Sequence, residues 1–423
     1  MRGGQILLLT VVLYVAAKII YIGKTKNKNV KVIYIASISA LLVNLIYFKY
    51  SWFIVDNVAR VMKDESLWYS VAAPIGISFI TFSAISYITD VYRTDSTPGS
   101  FLDCLFFITF FPKIVSGPIV LWKNFQKQLR DRKTSIDNII NGINRIVVGL
   151  GKKVLLADIF GLALSKMYLY EIDQITAIMS FGLYMLQIYY DFSGYSDIAI
   201  GLSEIIGFRF EANFNFPYRS KSISEFWRRW HISLGTWFRQ YVYFPLGGNR
   251  KGKYRTLFNL GVVFALTGIW HGAGWNYILW GFINGFFVII EHVIAKKEFY
   301  KKIPDWIKYT VTMVIVICFW QLFRYQNMSD VVTSFGTALG IMKPEVIPYT
   351  WKYFIDARLV FLSFVGIIGA TVFGSSRIQR VYKKAVSCKI GYALQEICIV
   401  LLLVICLLFI TSSTYSPFIY FQY

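Results

Sequence analysis

Apolar runs of membrane-crossing length recur along the whole chain, separated by short polar connections rich in lysine and arginine. They fall at 6–22, 32–48, 71–88, 175–190, 257–270, 275–294, 307–323, 357–373 and 394–410. A helix needs about 20 predominantly apolar residues to cross a hydrocarbon core, so these runs are predicted as membrane helices. The first follows a short cap without a small-residue cleavage site before Lys24, so it reads as a retained helix. Between the runs, 56–68 reads as a polar connection and 329–351 as a mixed stretch holding a partial helix. Residues 123–133 read as a basic interfacial stretch. The 136–156 segment is amphipathic, with Ile139, Ile140, Ile143, Ile146, Val147 and Leu150 at helical spacing.

The run at 101–121 breaks the pattern, because Pro112, Lys113, Gly117 and Pro118 interrupt it. Proline removes a helix hydrogen bond and clashes with the preceding turn. Broken backbone at membrane depth survives only inside protein or against a water-filled cavity. The segment is either a re-entrant element or two short interfacial helices joined by a turn. The expected fold class is an all-α polytopic membrane protein with about 9–11 membrane-embedded helices. We read one integral membrane domain: N-terminal helices over 1–70, a catalytic core over 71–294 and C-terminal helices over 295–423.

Composition sharpens this picture. Only 16% of the 423 residues are charged and 56% are hydrophobic, against roughly 25% charged in soluble domains. The formal charge of +21 would raise nucleic-acid binding in a soluble protein. Here the basic residues cluster at 24–28, 296–302 and 377–384, which the positive-inside rule and attraction to anionic lipid headgroups explain without a nucleic-acid partner. The five cysteines form no CxxC pair, and no metal site is expected. There is no GxSxG elbow, P-loop or GxGxxG, which leaves a serine hydrolase, an ATPase or a dinucleotide enzyme without local support.

The chemistry concentrates between Asn213 and Trp275, which holds two of the three histidines, His231 and His271. Histidine is the side chain whose ordinary pKa lies near neutrality. His271 ends an apolar run, bracketed by Trp270 and glycines. Such walls disfavour imidazolium, and a neutral, partly desolvated ring suits a general base. His231 lies in the arginine-rich EFWRRWH segment and reads either as a second functional ring or as a group bonded to a backbone carbonyl. His292, beside a lysine cluster, reads as interfacial. Asp191, Ser193 and Asp197 in DFSGYSD are a candidate site, because ionisable groups at membrane depth are functional by default; either carboxylate could equally pair with an arginine or cap a helix. Lys221, Arg228 and Arg229 fit a phosphate-bearing donor or lipid headgroups.

Six segments carry a family resemblance: PIGISFITFSAISYITDVYR, FFPKIVSGPI, DFSGYSDIAIG, the 213–250 stretch, GIWHGAGW and the terminal YSPFIYFQY. In this order the chain resembles the membrane-bound O-acyltransferase (MBOAT) family, and within it a bacterial alginate O-acetyltransferase-like branch of membrane subunits. The resemblance implies a ring of membrane helices around a central tunnel, with re-entrant and interfacial helices. It places the family's near-invariant histidine on His271 and its second functional histidine on His231. It implies an acyl thioester donor, acetyl-CoA or an acyl-carrier thioester, engaged from the cytoplasm, and no permanently bound cofactor. The acceptor would be an extracytoplasmic glycan, reached directly or through a secreted or membrane-anchored esterase-like partner. Asn213, Asn215, Trp230, Trp270, Trp275 and Asn276 lie in the matching motifs and are expected to support the two histidines. The implied location is the cytoplasmic membrane of a bacterium. Members of that branch begin with further apolar helices before the segment matching Ile6, so the N-terminal topology is the part the resemblance constrains least. D-alanyl transfer to teichoic acid, a glycan transporter and a non-enzymatic scaffold stand as alternatives.

Overall fold

The computed structural model describes residues 3–64, 74, 76–114, 116–412 and 418. The end of the expected polar connection, the expected helix start at 71 and all of YSPFIYFQY but Phe418 lie outside them. Among the described residues the chain is helical without strands. The helices are α1 (Gly3–Thr25), α2 (Lys31–Met62), α3 (Ile77–Arg93), α4 (Phe101–Thr109), α5 (Phe111–Ile114), α6 (Trp122–Asp131), α7 (Ile136–Gly151), α8 (Asp158–Tyr168), α9 (Gln174–Ile205), α10 (Ile223–Arg229), α11 (Ile232–Phe238), α12 (Lys253–His271) and α13 (Trp275–Ile294). Beyond them lie α14 (Glu298–Lys302), α15 (Asp305–Arg324), α16 (Met328–Ala338), α17 (Trp351–Phe354), α18 (Ala357–Thr371), α19 (Ser376–Val386) and α20 (Lys389–Ser412). Six of these elements are long and apolar enough to cross a membrane among the described residues: α1, α2, α13, α15, α18 with its short continuation, and α20. Helices α3 and α9 are largely buried in protein.

Three boundaries differ from the sequence pattern, each for a local reason. Helix α2 runs on to Met62 through residues expected to be a connection. An i,i+4 pair of Arg60 with Asp56 at 3.0 Å and a bond from Asn57 Nδ2 to the Phe53 carbonyl keep that polar turn helical. Helix α9 continues to Ile205 through the polar DFSGYSD motif, because its carboxylates meet cations of the preceding hairpin. The basic 377–384 run is not a loop but the exposed helix α19.

The broken 101–121 run forms α4 and α5, joined at an extended Phe110. Pro112, Lys113 and the segment from Ser116 to Leu121 are buried, so the irregular backbone is sheltered by protein. Lys113 Nζ donates to Ser83 Oγ at 3.1 Å and lies 3.3 Å from the Phe107 ring centroid.

Helices α7 and α9 meet backbone to backbone. A Cβ on Gly142 would stand 2.6 Å from the Gly201 carbonyl oxygen, and one on Gly201 would stand 2.5 Å from that of Gly142. Gly149 and Gly194 repeat the same reciprocal contact at 2.6 and 2.8 Å. Two glycines on each helix, seven residues apart, make an antiparallel small-residue seam, the way membrane helices approach without a hydrophobic driving force. Gly201→Ala is therefore expected to lose about 1–3 kcal/mol through overpacking, read as a lower thermal midpoint of the solubilised protein.

The aromatic interior forms two clusters. One centres on α8, α9, α10, α13 and α15 and holds Trp230, Trp280 and Phe323. The other centres on α1, α3, α4, α6 and α11 and holds Trp237 and Trp270. Lys221 pairs with Asp305, the Ser224 N–H donates to Glu291, and Gly374 packs on Phe216 and Arg219, so the basic connections at 296–302 and 377–384 lie at one end of the bundle, from which α15 and α20 lead away and to which α13 and α18 return.

Candidate active site

Both candidate histidines lie at the seam of the two aromatic clusters, and each is placed there by local sequence. Ser222 caps α10, its hydroxyl accepting from the Glu225 N–H at 3.0 Å. Glu225 in turn binds Arg229 at 2.8 Å. The helix ends at Trp230, and His231 follows in the left-handed region with φ 45. That conformation costs a non-glycine residue about 1–3 kcal/mol and redirects the chain into α11. Strain of this kind persists where the surroundings over-determine the residue, and here they do.

Asn213 holds His231. Its Oδ1 accepts from the Ser233 N–H at 3.2 Å and from the Ser233 hydroxyl at 2.9 Å, and lies 3.1 Å from His231 Nδ1. Its Nδ2 donates to Ser196 Oγ at 3.2 Å. Its own carbonyl accepts from the Ile232 N–H at 2.9 Å. A backbone N–H can only donate, so the Ser233 contact fixes which end of the amide is oxygen. His231 Nδ1 must then donate, and Nε2 carries the lone pair. Nε2 is buried and meets no hydrogen-bond partner among the described residues. Burial pushes the His231 imidazole down to about 3.

That shift has a sign. In the unfolded chain this ring would protonate below about 6.5, while in the fold it stays neutral. The unfolded state then binds the extra proton, so stability falls as pH drops below about 6.5, by about 1.4 kcal/mol per unit. His231→Gln should remove one proton's worth of this slope, seen by comparing thermal midpoints of the two proteins from pH 7.5 to 5.

His271 closes α12. Its ring sits among Trp270, Trp280 and Phe323, with centroids at 4.8, 5.1 and 4.9 Å. The GIWHGAGW spacing has a steric explanation. A Cβ on Gly268 would meet the Gly281 Cα at 2.8 Å, which sets the close approach of α12 and α13. A Cβ on Gly272 would meet the Tyr277 ring at 2.3 Å, so only glycine lets that ring cover the turn after His271. Lys49 of α2 donates to the carbonyls of Trp270 and His271, placing an ammonium at the negative end of α12.

A cavity of about 70 Å³ joins the two rings. Trp227, Trp230, His231, Leu234, Gly235, Phe238, Val263, Phe264, Thr267 and His271 line it, with no carboxylate among them. That volume is enough for a small acyl group. The indole Nε1 of Trp227, on the cavity wall, is buried without a hydrogen-bond partner among the described residues, as is that of Trp270, which packs between the two histidines. Buried donors are normally paired, so donors left over beside a small cavity are available to a ligand.

The other expected residues separate into those at the cavity and those elsewhere. Trp230 lines it, and Trp270 packs between the two histidines, with centroids 6.2 Å from His231 and 4.8 Å from His271. Asp191 pairs with Lys153 at 2.8 Å, and Asp197 pairs with Lys152 at 2.6 Å and Arg145 at 3.0 Å. These bonds tie α9 to α7 and to the π-helical turn Lys152–Ala157 that follows it. Ser193 is buried on α9. Asn215 and Arg229 bond to each other through main-chain oxygen, and Lys221 pairs with Asp305. Arg228 is exposed. Trp275 is 59% exposed and donates to Asn57 Oδ1 at 3.0 Å on the outside of the bundle. Asn276 donates to the Tyr325 carbonyl at 2.7 Å, anchoring the start of α13 to the end of α15. Ser196, Ser233, Lys49 and Phe323, together with the cavity-lining Trp227, Phe238, Phe264 and Thr267, are residues at the site that motif reading did not single out.

Comparison with known proteins adds an independent line. The family model described as membrane-bound O-acyltransferase matches residues 3–321. The chain is 35% identical over 398 residues to the probable alginate O-acetylase of Pseudomonas putida, covering 89% of this chain and 81% of that protein. It is 31% identical over 331 residues to the peptidoglycan O-acetyltransferase of Helicobacter pylori, covering 70% of this chain and 62% of that protein. It is 34% identical over 265 residues to the teichoic acid D-alanyltransferase of Bacillus subtilis, covering 58% of this chain and 65% of that protein.

Proposed function

Since this chain belongs to the membrane-bound O-acyltransferase family, we propose that it moves an acetyl group from a thioester at the basic end of the bundle to a hydroxyl of a cell-envelope polysaccharide beyond the opposite end. The positive-inside rule makes the basic end cytoplasmic, in a bacterial cytoplasmic membrane. The observation that carries the reading is the pair of buried histidines on one small cavity. The relatives named for O-acetylation of two different polysaccharides support the reaction class.

In this mechanism His271 takes the proton from the acceptor hydroxyl as its oxygen attacks the thioester carbonyl. The tetrahedral oxyanion collapses, the carbon–sulfur bond breaks, and the departing thiolate receives the proton that His271 holds. His231 has a different part. With Nδ1 donating to Asn213, Nε2 can only accept, so it orients the donor by taking a hydrogen bond from it. The unspent indole N–H of Trp227 on the cavity wall is the candidate donor for the oxyanion, the kind of preorganised stabilisation that is worth most in a water-excluded site.

Cavity chemistry favours acetyl over D-alanyl. A D-alanyl group carries an ammonium, which the cavity would desolvate without a carboxylate among its lining residues. The test uses membrane vesicles holding the full chain, an extracted envelope polysaccharide and a thioester labelled in its acyl group. Base-labile label on the polysaccharide from acetyl thioester, and none from D-alanyl thioester, is the expected result. The reverse pattern would establish aminoacyl transfer, and no label from either would leave a transport or scaffold role.

A further inference from the structure

Helix α2 crosses the membrane on the outside of the bundle, with Val43, Ile46, Trp52 and Val58 exposed on its outer face. It carries Lys49 near its middle, and among the described residues no carboxylate pairs with that ammonium. Its partners are oxygens of α12 and α3. Helix α12 ends at His271, and Gly272 is already extended, so the last carbonyls of α12 have no partner within the helix. Helix α2 supplies partners for three of them in a row. Tyr50 Oη donates to the Ile269 carbonyl at 2.6 Å, and Lys49 Nζ donates to those of Trp270 and His271. Lys49 Nζ also reaches Ser78 Oγ of α3 at 3.4 Å. The same side of α2 follows the GIWHGAGW turn further. Phe53 meets the Trp275 ring edge-on at 5.7 Å, and Asn57 Oδ1 accepts from Trp275 Nε1 at 3.0 Å. Lys49, Phe53 and Asn57 stand at four-residue spacing, hence on one helix face.

We propose that Lys49 is a positioning residue for the acyl transfer: its ammonium pins the end of α12 and so holds the His271 ring at the cavity. The inference rests on the acyl-transfer reading above. Three observations carry it. An ammonium on a membrane-crossing helix is costly, and such groups mark function by default; here the negative end of α12 takes the place of a carboxylate. The bond falls on the main chain of His271 itself, so a shift of α2 against α12 is felt at the base. The third observation is charge. A helix end favours a protonated histidine in its last turn, which would leave His271 without the lone pair that a base needs. An ammonium on the same carbonyls opposes that field, whereas a neutral donor would satisfy the carbonyls and leave the field in place. The titratable groups that face His271 among the described residues are Lys49 from α2 and His231 from the turn before α11. Trp280 of α13 and Phe323 of α15 close the other sides.

Ring titration and kinetics of the full chain test this. NMR of the protein in detergent, with isotope-labelled histidine rings, follows the titration of His271, assigned by the signal that His271→Gln lacks. Lys49→Gln keeps an amide donor and drops the charge. It should move that titration up by about one unit, with the acid limb of kcat moving alongside. Its kcat should fall about 10–10²-fold, and KM for the thioester should hold, because Lys49 does not line the cavity. Lys49→Met is the second charge-free variant, suited to a lipid-facing helix if Lys49→Gln reaches the membrane poorly. Lys49→Arg should keep the wild-type titration. Tyr50→Phe loses a neutral donor at the same helix end, so it should lower the thermal midpoint and leave the titration in place. A wild-type titration and kcat profile in the charge-free variants, or an equal shift in Tyr50→Phe, would overturn the proposal and leave Lys49 a structural cap. A titration that shifts in Lys49→Gln, beside a wild type that forms no ester, would overturn the acyl-transfer reading instead and leave the electrostatic hold on His271 standing.

Discussion

His271→Ala is expected to lower ester formation by about 10²–10⁴-fold, the range a positioned general base contributes, or about 3–5 kcal/mol of barrier at 1.36 kcal/mol per tenfold. The loss should fall on kcat. The donor is oriented by His231 and the cavity walls, which the substitution leaves in place, so KM for the thioester should move little. His271→Gln is the informative companion. It fills more of the space among Trp270, Trp280 and Phe323 and has no titratable group, so an equal loss in both variants at matched membrane levels assigns the effect to the missing base. If either variant kept wild-type rates, the ring would be a packing element, and a transporter or scaffold role would become the better account.

The two variants also separate this histidine from its neighbour. His231→Gln retains an acceptor oxygen, so its main effect should be on KM for the donor. A matching collapse of kcat in His231→Gln would mean that both rings act in the chemical step.

What the sequence disclosed, and what it hid, follows from where each residue finds its partner. The outer helices were legible because lipid alone decides them: Trp275–Ile294 was bounded to the residue by its apolar run. The ends of the inner elements were not, because their polar residues are neutralised across the chain. Asp191 and Asp197 look like an interruption of a span until Lys153 and Lys152 are seen beside them. The π-helical turn that holds those lysines has no motif in a single sequence. At the site, both histidines stood out because histidine is scarce here. Trp275 stood out equally, as part of the same motif, yet one residue after Gly274 its ring faces the outside and Asn57. Lys49 gave no signal at all, since its role as a cap on α12 depends on carbonyls some 220 residues away. Asn213 was expected to support the histidines because of its motif; its contacts with His231, Ser196 and Ser233 are what make it a hub.

Those contacts lead to the second large effect. Asn213→Leu removes the acceptor for two donors that cannot turn elsewhere, His231 Nδ1–H and the Ser233 N–H. Each buried donor left unmade costs about 1–3 kcal/mol, so the pair threatens much of a typical stability of about 5–15 kcal/mol. Low membrane levels are the expected outcome, which makes Asn213→Asp the sharper experiment. Aspartate keeps the shape and the acceptor, and the Ser196 hydroxyl can rotate to donate to it. Its charge beside Nδ1–H favours imidazolium, so Nε2 becomes a donor where the wild type offers a lone pair. KM for the thioester should therefore rise near neutral pH and recover as pH rises and the ring sheds its proton, while the wild type, neutral throughout, shows no such recovery. A variant with a wild-type pH profile would show that Asn213 only braces α11. The recovery, if seen, would show that the donor is bound through the unprotonated Nε2 of His231, which the neutral Asn213 partner preserves in the wild type.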